Sequence, residues 1–298
     1  MTNANSSNVG IAARAFGAGI MYAVGVVIGG VAATAAHLSQ PSFPPPASPG
    51  PFFLIMVVLS GVMGIVLAPL IRGIGGSLFV RAASIALLVF VCWGVNTTLE
   101  LTIFSTFLKN GGILAQLLAP LIGAMVFAPT AAALIPKSES VEAVREAVSN
   151  RSVAEWAGRI ALAILAFPAI YFVVGLAIAP IVVDIYHAGV PGYLIPSPAA
   201  IIKMQFVRGT LFLLACTPVL VLWRKSRGQL VLALGLALSW LVGLYGLLQA
   251  DAMPPTLRWT HSVEIAVDSF AYAFVLVYLL KPKGTASASV PHEQPKAA

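Results

Sequence analysis

The sequence predicts an all-α membrane protein: eight transmembrane helices, forming two parallel four-helix repeats. Three observations carry this expectation. Hydrophobic residues make up 59% of the 298 and charged residues 9%, where a soluble domain carries roughly 25% charged, and the mean hydropathy is +0.95. The apolar residues fall in runs of about twenty, the length that crosses a hydrocarbon core of roughly 30 Å. The two halves of the chain also resemble each other at a nearly constant offset.

Taken in order, residues 1–10 read as a polar tail, and residues 11–135 as the first four-helix half. Its first span, Ala15 to Ala36, ends in small residues that resemble a cleavage region. It is nevertheless longer than the roughly 7–15 residues of a signal-peptide core, so an uncleaved helix is expected. The proline-rich segment 41–50 cannot be helix and reads as an extended loop. Phe52 to Ile71 forms the second span, Arg72 with Gly73, Gly75 and Gly76 a basic turn, and Leu78 to Thr102 the third span. Lys109 to Gly112 breaks the chain before the fourth span, Ile113 to Ile135.

Residues 136–155 form a mixed-charge linker, with Val141, Val144 and Val148 at the spacing of a short amphipathic helix. Residues 156–280 are the second half. Its spans run from Ala157 to Ala179 and on towards Asp184 and His187, from Ala200 to Trp223, from Gln229 to Gln249, and from about Thr260 to Leu280. A second Pro/Gly loop occupies 188–199, and the tail 281–298 has a disordered composition. The repeat is read from Met21-Tyr22 against Ile170-Tyr171 and Ala68-Pro69-Leu70 against Thr217-Pro218-Val219, 149 residues apart in both cases. Four spans being even, the halves share one orientation and form a parallel repeat.

The net charge of +7 does not imply a nucleic-acid partner, because the basic residues lie in short turns between apolar runs. Thirteen of the 17 Lys and Arg fall on the side of both termini, and Lys109, Lys203, Arg208 and Arg258 on the other. That asymmetry predicts cytoplasmic termini in a plasma membrane. The short loops and Ala/Gly/Val-rich composition suggest a bacterial inner membrane. The lipid bilayer is the expected partner, together with an unidentified small solute or lipid.

The candidate site centres on the last span. Steps of three, three and four residues put Arg258, His261, Glu264 and Asp268 on one helical face, with Tyr272 next. Asn96 and Glu100 lie one turn apart in the third span, and Arg208 lies inside the sixth. Ionisable residues within membrane helices face a bundle interior or a wet cavity, so these seven are expected to line an outward-opening polar pocket. Arg208, nearest in depth, is the expected partner of Asp268.

Cys92 and Cys216 sit within apolar runs and read as small hydrophobes. His261 with Glu264 and Asp184 with His187 are i,i+3 pairs, but no third ligand is evident, and no metal or cofactor is expected. His37 and His187 flank proline-rich loops, a poor setting for haem ligands. No Walker A loop or Gly-x-Ser-x-Gly elbow is present. The expected function is a small-solute secondary transporter or permease. The alternatives are a structural, sensory or assembly subunit, and an intramembrane enzyme acting on a lipid-linked substrate.

Overall fold

The computed structural model describes residues 8–44, 49–137 and 151–281. Within them, eight helices are long and apolar enough to span a membrane. They are α1 (Asn8–Ala35), α2 (Pro49–Gly73), α3 (Leu78–Phe104), α4 (Ile113–Leu134), α5 (Val153–His187), α6 (Pro198–Leu222), α7 (Arg227–Leu247) and α8 (Pro255–Leu280). Most of the linker, the C-terminal tail from residue 282 and residues 1–7 lie outside the described residues.

Serine starts four of these helices. Ser77, Ser152, Ser197 and Ser226 each accept from a first-turn backbone N–H, and Ser226 completes a capping box with Gln229. Proline occupies the first turn of α6 and of α8, where its missing N–H breaks no helical bond. Helix α8 therefore begins at Pro255, five residues earlier than expected, and α1 begins at Asn8 rather than Ala15. Asp268, expected about 12 Å into its helix, lies instead about 20 Å from the start at 1.5 Å per residue, close to mid-helix. His37 (φ 54°) and Gly189 (φ 91°) end α1 and α5 in left-handed turns.

Helix α1 packs on α2 and α4, and α4 also packs on α3. In the second half α5 packs on α6 and α8, and α8 also packs on α7. The halves meet where α2 lies on α7 and α3 on α6. One buried apolar cluster runs through both. Helix α7 is the most enclosed, with 67% of its apolar window buried, and α5 the least, with 17%. Both helices at the centre carry a π turn, Phe90–Val95 in α3 and Trp240–Leu244 in α7, and these turns touch.

The end of the bundle carrying the α2–α3 and α6–α7 turns is basic and tightly bonded. Ile74 and Trp223 form an isolated antiparallel bridge. Gly75 donates to the Leu222 carbonyl at 2.8 Å, and Arg224 to the Gly73 carbonyl at 2.9 Å. Arg81, buried, donates to the carbonyls of Ala132, Ile135 and Ile71 at 3.0, 2.9 and 3.3 Å, and so caps α4 with positive charge. The end of α8 is capped likewise: Arg159 donates to Leu279 O at 2.7 Å, and Arg227 to the Lys281 carbonyl.

Lys281, just past α8, donates to Trp223 O at 3.0 Å. Burial, followed by the neighbouring charges of Arg224 and Arg227, pushes its ammonium down to about 8. The native state therefore loses this proton before the unfolded chain does, and stability rises with pH from about 8 into the ordinary lysine range. Thermal unfolding in detergent across that window should show the rise in the native protein and its loss in Lys281→Met. Equal slopes would contradict the assignment.

Candidate polar site between α3, α5, α6 and α8

At the opposite end of the bundle, the polar side chains of four helices converge. Arg208 of α6 donates through Nη2 to Glu100 Oε1 of α3 at 2.8 Å, and through Nη1 to Gln205 Oε1 at 3.2 Å. The Arg208 side chain is 5% exposed and the Glu100 side chain 33%, so the pair runs from the interior to the edge. Phe167 and Phe212 flank the guanidinium, with ring centroids 5.3 and 5.6 Å from Cζ. Such desolvated contacts attract the guanidinium to the faces of the two rings.

A second chain links α8 to α5. His261 Nδ1 lies 2.6 Å from Glu264 Oε2, and His261 Nε2 lies 2.9 Å from Tyr186 Oη. With Nδ1 carrying the proton, the ring donates to the carboxylate and accepts from the tyrosine, satisfying both nitrogens. Glu264 is 7% exposed and His261 21%. Across from Glu264, α5 has Gly175: a Cβ there would sit 3.7 Å from Oε1.

Asp268 is 7% exposed, and its Oδ1 has no hydrogen-bond partner. Glu264, one turn away on α8, and Arg208 both act on it electrostatically. The expected ion pair of Arg208 with Asp268 is therefore corrected: the guanidinium is spent on Glu100 and Gln205, and Asp268 makes no ion pair among the described residues. The physical reason is lateral rather than vertical. Depth along the bundle matches Arg208 with both acids, but the π turn of α3 brings Glu100 around to face α6.

The other expected residues divide. Asn96, buried, donates to the Val242 carbonyl within the π turn of α7 at 3.3 Å, and its Oδ1 has no partner. Arg258 stands in the first turns of α8 and forms no ion pair among the described residues. Tyr186 and Tyr171 were not expected at the site. Tyr171 lies in the field of Arg208, Glu264, Glu100 and Asp268. The sequence signal was present, as 171, 175, 178, 182 and 186 follow one face of α5 at steps of three and four.

Asp184 and His187 do not join a ligand set, and among the described residues no three His, Cys, Asp or Glu side chains converge as metal ligands. Cys92 and Cys216 are buried free thiols. A separate groove between α1 and α2 is lined by Ile20, Val24, Val27, Phe53 and Val57 and has no polar lining.

The loops close over this end. Ser105 and Tyr193 form an antiparallel bridge, with Thr106 donating to Gly192 O at 2.9 Å and Leu194 to Phe104 O at 2.8 Å. The α5–α6 loop is thus tied to the end of α3, the helix that carries Glu100. Comparison with known protein families, with curated proteins and with solved structures finds no match to the chain.

Proposed function

We propose that the protein is a multi-pass membrane protein that moves a small solute through the polar cluster of α3, α5, α6 and α8. The observation that carries this reading is the buried carboxylate of Asp268 at mid-helix, which makes no ion pair beside the pairs Arg208–Glu100 and His261–Glu264. A charge near mid-membrane costs about 2.5–3.5 kcal/mol on insertion scales, and in a structural site it would be expected to have a partner. Asp268 has none, whereas every other acid of the cluster does.

The same reading includes two parallel four-helix repeats in a plasma membrane, bacterial and inner, with both termini cytoplasmic. Three features support the repeat. Across the bridge between the halves Gly75 bonds Leu222, Ile74 pairs with Trp223 and Arg224 bonds Gly73, so that segment 73–75 meets 222–224, its own counterpart at the sequence offset of 149. The packing order of α1 to α4 recurs in α5 to α8, and α3 and α7 each bear a π turn. The orientation rests on the basic residues gathered at the end that holds Arg81, Arg159, Arg227 and Lys281.

The repeat also supports one half as the working half. In the first, Gly25 and Gly29 of α1 meet α4 so closely that an added Cβ would lie 2.7 and 2.6 Å from the Cα atoms of Gly123 and Ala119. At the same offset the second half has Val174, Ile178, Tyr272 and Asp268. Small residues close one half and polar or bulky ones hold the other apart.

The enzyme reading, with His261 as acid/base and Arg208 or Arg258 as anion clamp, loses one of its two clamps because Arg208 is already engaged by Glu100 and Gln205. The ion pair Arg208–Glu100, complete in itself, favours the second reading, a structural or assembly subunit. Reconstitution into proteoliposomes with an imposed proton gradient and a broad solute panel separates the two. Flux that Glu264→Gln abolishes and the surface change Glu155→Gln leaves intact is the expected result. Absence of flux for every solute would favour the subunit.

A further inference from the structure

We infer that the cluster binds a small monovalent cation, an alkali ion or an organic ammonium, with the carboxylates of Asp268 and Glu264 as its counter-charge. The inference rests on the reading of this cluster as the solute site and names the class of solute.

Charge balance comes first. Three carboxylates, Glu100, Glu264 and Asp268, share the site with one guanidinium, and that guanidinium belongs to Glu100. His261 already bonds Glu264 through one nitrogen and Tyr186 through the other. Asp268 is left with neither a cation nor a bonded donor on Oδ1, in surroundings where an isolated charge is costly.

The second observation is independent of that count. Asp268 is 93% buried on its 7% exposure, and an acceptor oxygen has no donor. An orphan acceptor calls for a donor or a cation, not for an anion. Both terminal nitrogens of Arg208 are already bonded to acceptors, which leaves its buried Nε and Gln205 Nε2 as the unpartnered donors beside it.

The walls fit the same class. Tyr171 lies among these charges, and Tyr186 is fixed through His261. Aromatic faces beside carboxylates are the usual surroundings of ammonium groups. Gly175 leaves the α5 wall without a side chain opposite Glu264. A divalent metal is not inferred, because no set of three ligands converges among the described residues.

The test uses the full-length protein in detergent at constant ionic strength. Sodium, potassium, ammonium and choline chlorides replace N-methylglucamine chloride, and thermal unfolding is followed. A saturable rise in Tm with at least one of the four is expected, with an apparent affinity about tenfold or more weaker in Asp268→Asn. Sodium or potassium acting alone identifies an alkali site, and choline or ammonium acting alone an ammonium site; either supports the inference. If Asp268→Asn does not purify as a monodisperse protein, Glu264→Gln supplies the same comparison.

Equal Tm in all four salts and N-methylglucamine overturns the inference, as does a cation effect that both variants retain. The outcome is separable from that of the transport reading. Solute flux without a cation effect leaves transport standing and removes the cation. Cation binding without flux does the reverse.

Discussion

Arg208→Leu is expected to lower the stability of the folded protein by about 3 kcal/mol or more, because breaking a buried ion pair from one side strands the other charge. The guanidinium is 5% exposed and holds Glu100 at 2.8 Å, Gln205 at 3.2 Å and the faces of Phe167 and Phe212. Glu100 remains one-third exposed, so water can take over part of its solvation, which places the loss at the lower end of the range for such pairs. The double change Arg208→Leu with Glu100→Leu should recover most of it. Pairing Arg208→Leu with Asp268→Leu should not, since no bond links those two side chains. Thermal denaturation of the native protein, the three single variants (Arg208→Leu, Glu100→Leu, Asp268→Leu) and the two doubles in one detergent gives the coupling energies directly. Rescue by Asp268→Leu instead of Glu100→Leu would reverse the assignment of partners.

Gly64→Ala should be as damaging without touching any charge. A Cβ on Gly64 would stand 1.9 Å from the Ala15 carbonyl oxygen and 2.9 Å from the Gly19 nitrogen. All of these are backbone atoms, so no side-chain rotation relieves the overlap, and α1 and α2 must separate. The reciprocal contact is as close, with a Cβ on Gly19 lying 2.1 Å from the Ser60 carbonyl oxygen. Forced separation of tightly packed elements costs about 3 kcal/mol or more when nothing can yield. Gly17 and Gly30 provide the control, since nothing lies within 4 Å of a Cβ at either. Alanine there should be neutral or stabilising by up to about 1 kcal/mol. A similar Tm for Gly64→Ala and Gly17→Ala would contradict the close packing of α1 on α2.

Much of this architecture is written in periodicity and charge. Apolar runs separated by basic or Pro/Gly turns are enough to find eight helices, and steps of three and four residues are enough to place Glu264, Asp268 and Tyr272 on the buried face of α8. Helix ends were less legible, although the signals exist: Pro255 and Pro198 stand at first-turn positions, and reading Thr260 as the start of α8 overlooked the former. What a single helix cannot encode is which neighbour a side chain meets. Arg208 lies at a depth that suits Asp268, yet its bond goes sideways to α3. Tyr186 reached the site because α5 continues as one helix to His187, beyond the apolar run ending near Ala179.

The π turn at Phe90–Val95 has an angular meaning. A π turn is equivalent to one residue inserted into an α-helix, and each α-helical residue turns the chain by about 100°. Everything in α3 after Val95 is therefore rotated by about 100° relative to an unbroken helix. Asn96 and Glu100 are the first polar residues beyond it, and they face Val242 and Arg208 only because of that offset. Removing a single residue from 90–95 would leave composition, length and hydropathy almost unchanged. By returning the segment to ordinary α turns it would also keep the Glu100 carboxylate facing Arg208, whereas one residue added between Asn96 and Glu100 would turn it away by about 100°, so the azimuth of α3 rather than its chemistry decides whether the cluster assembles.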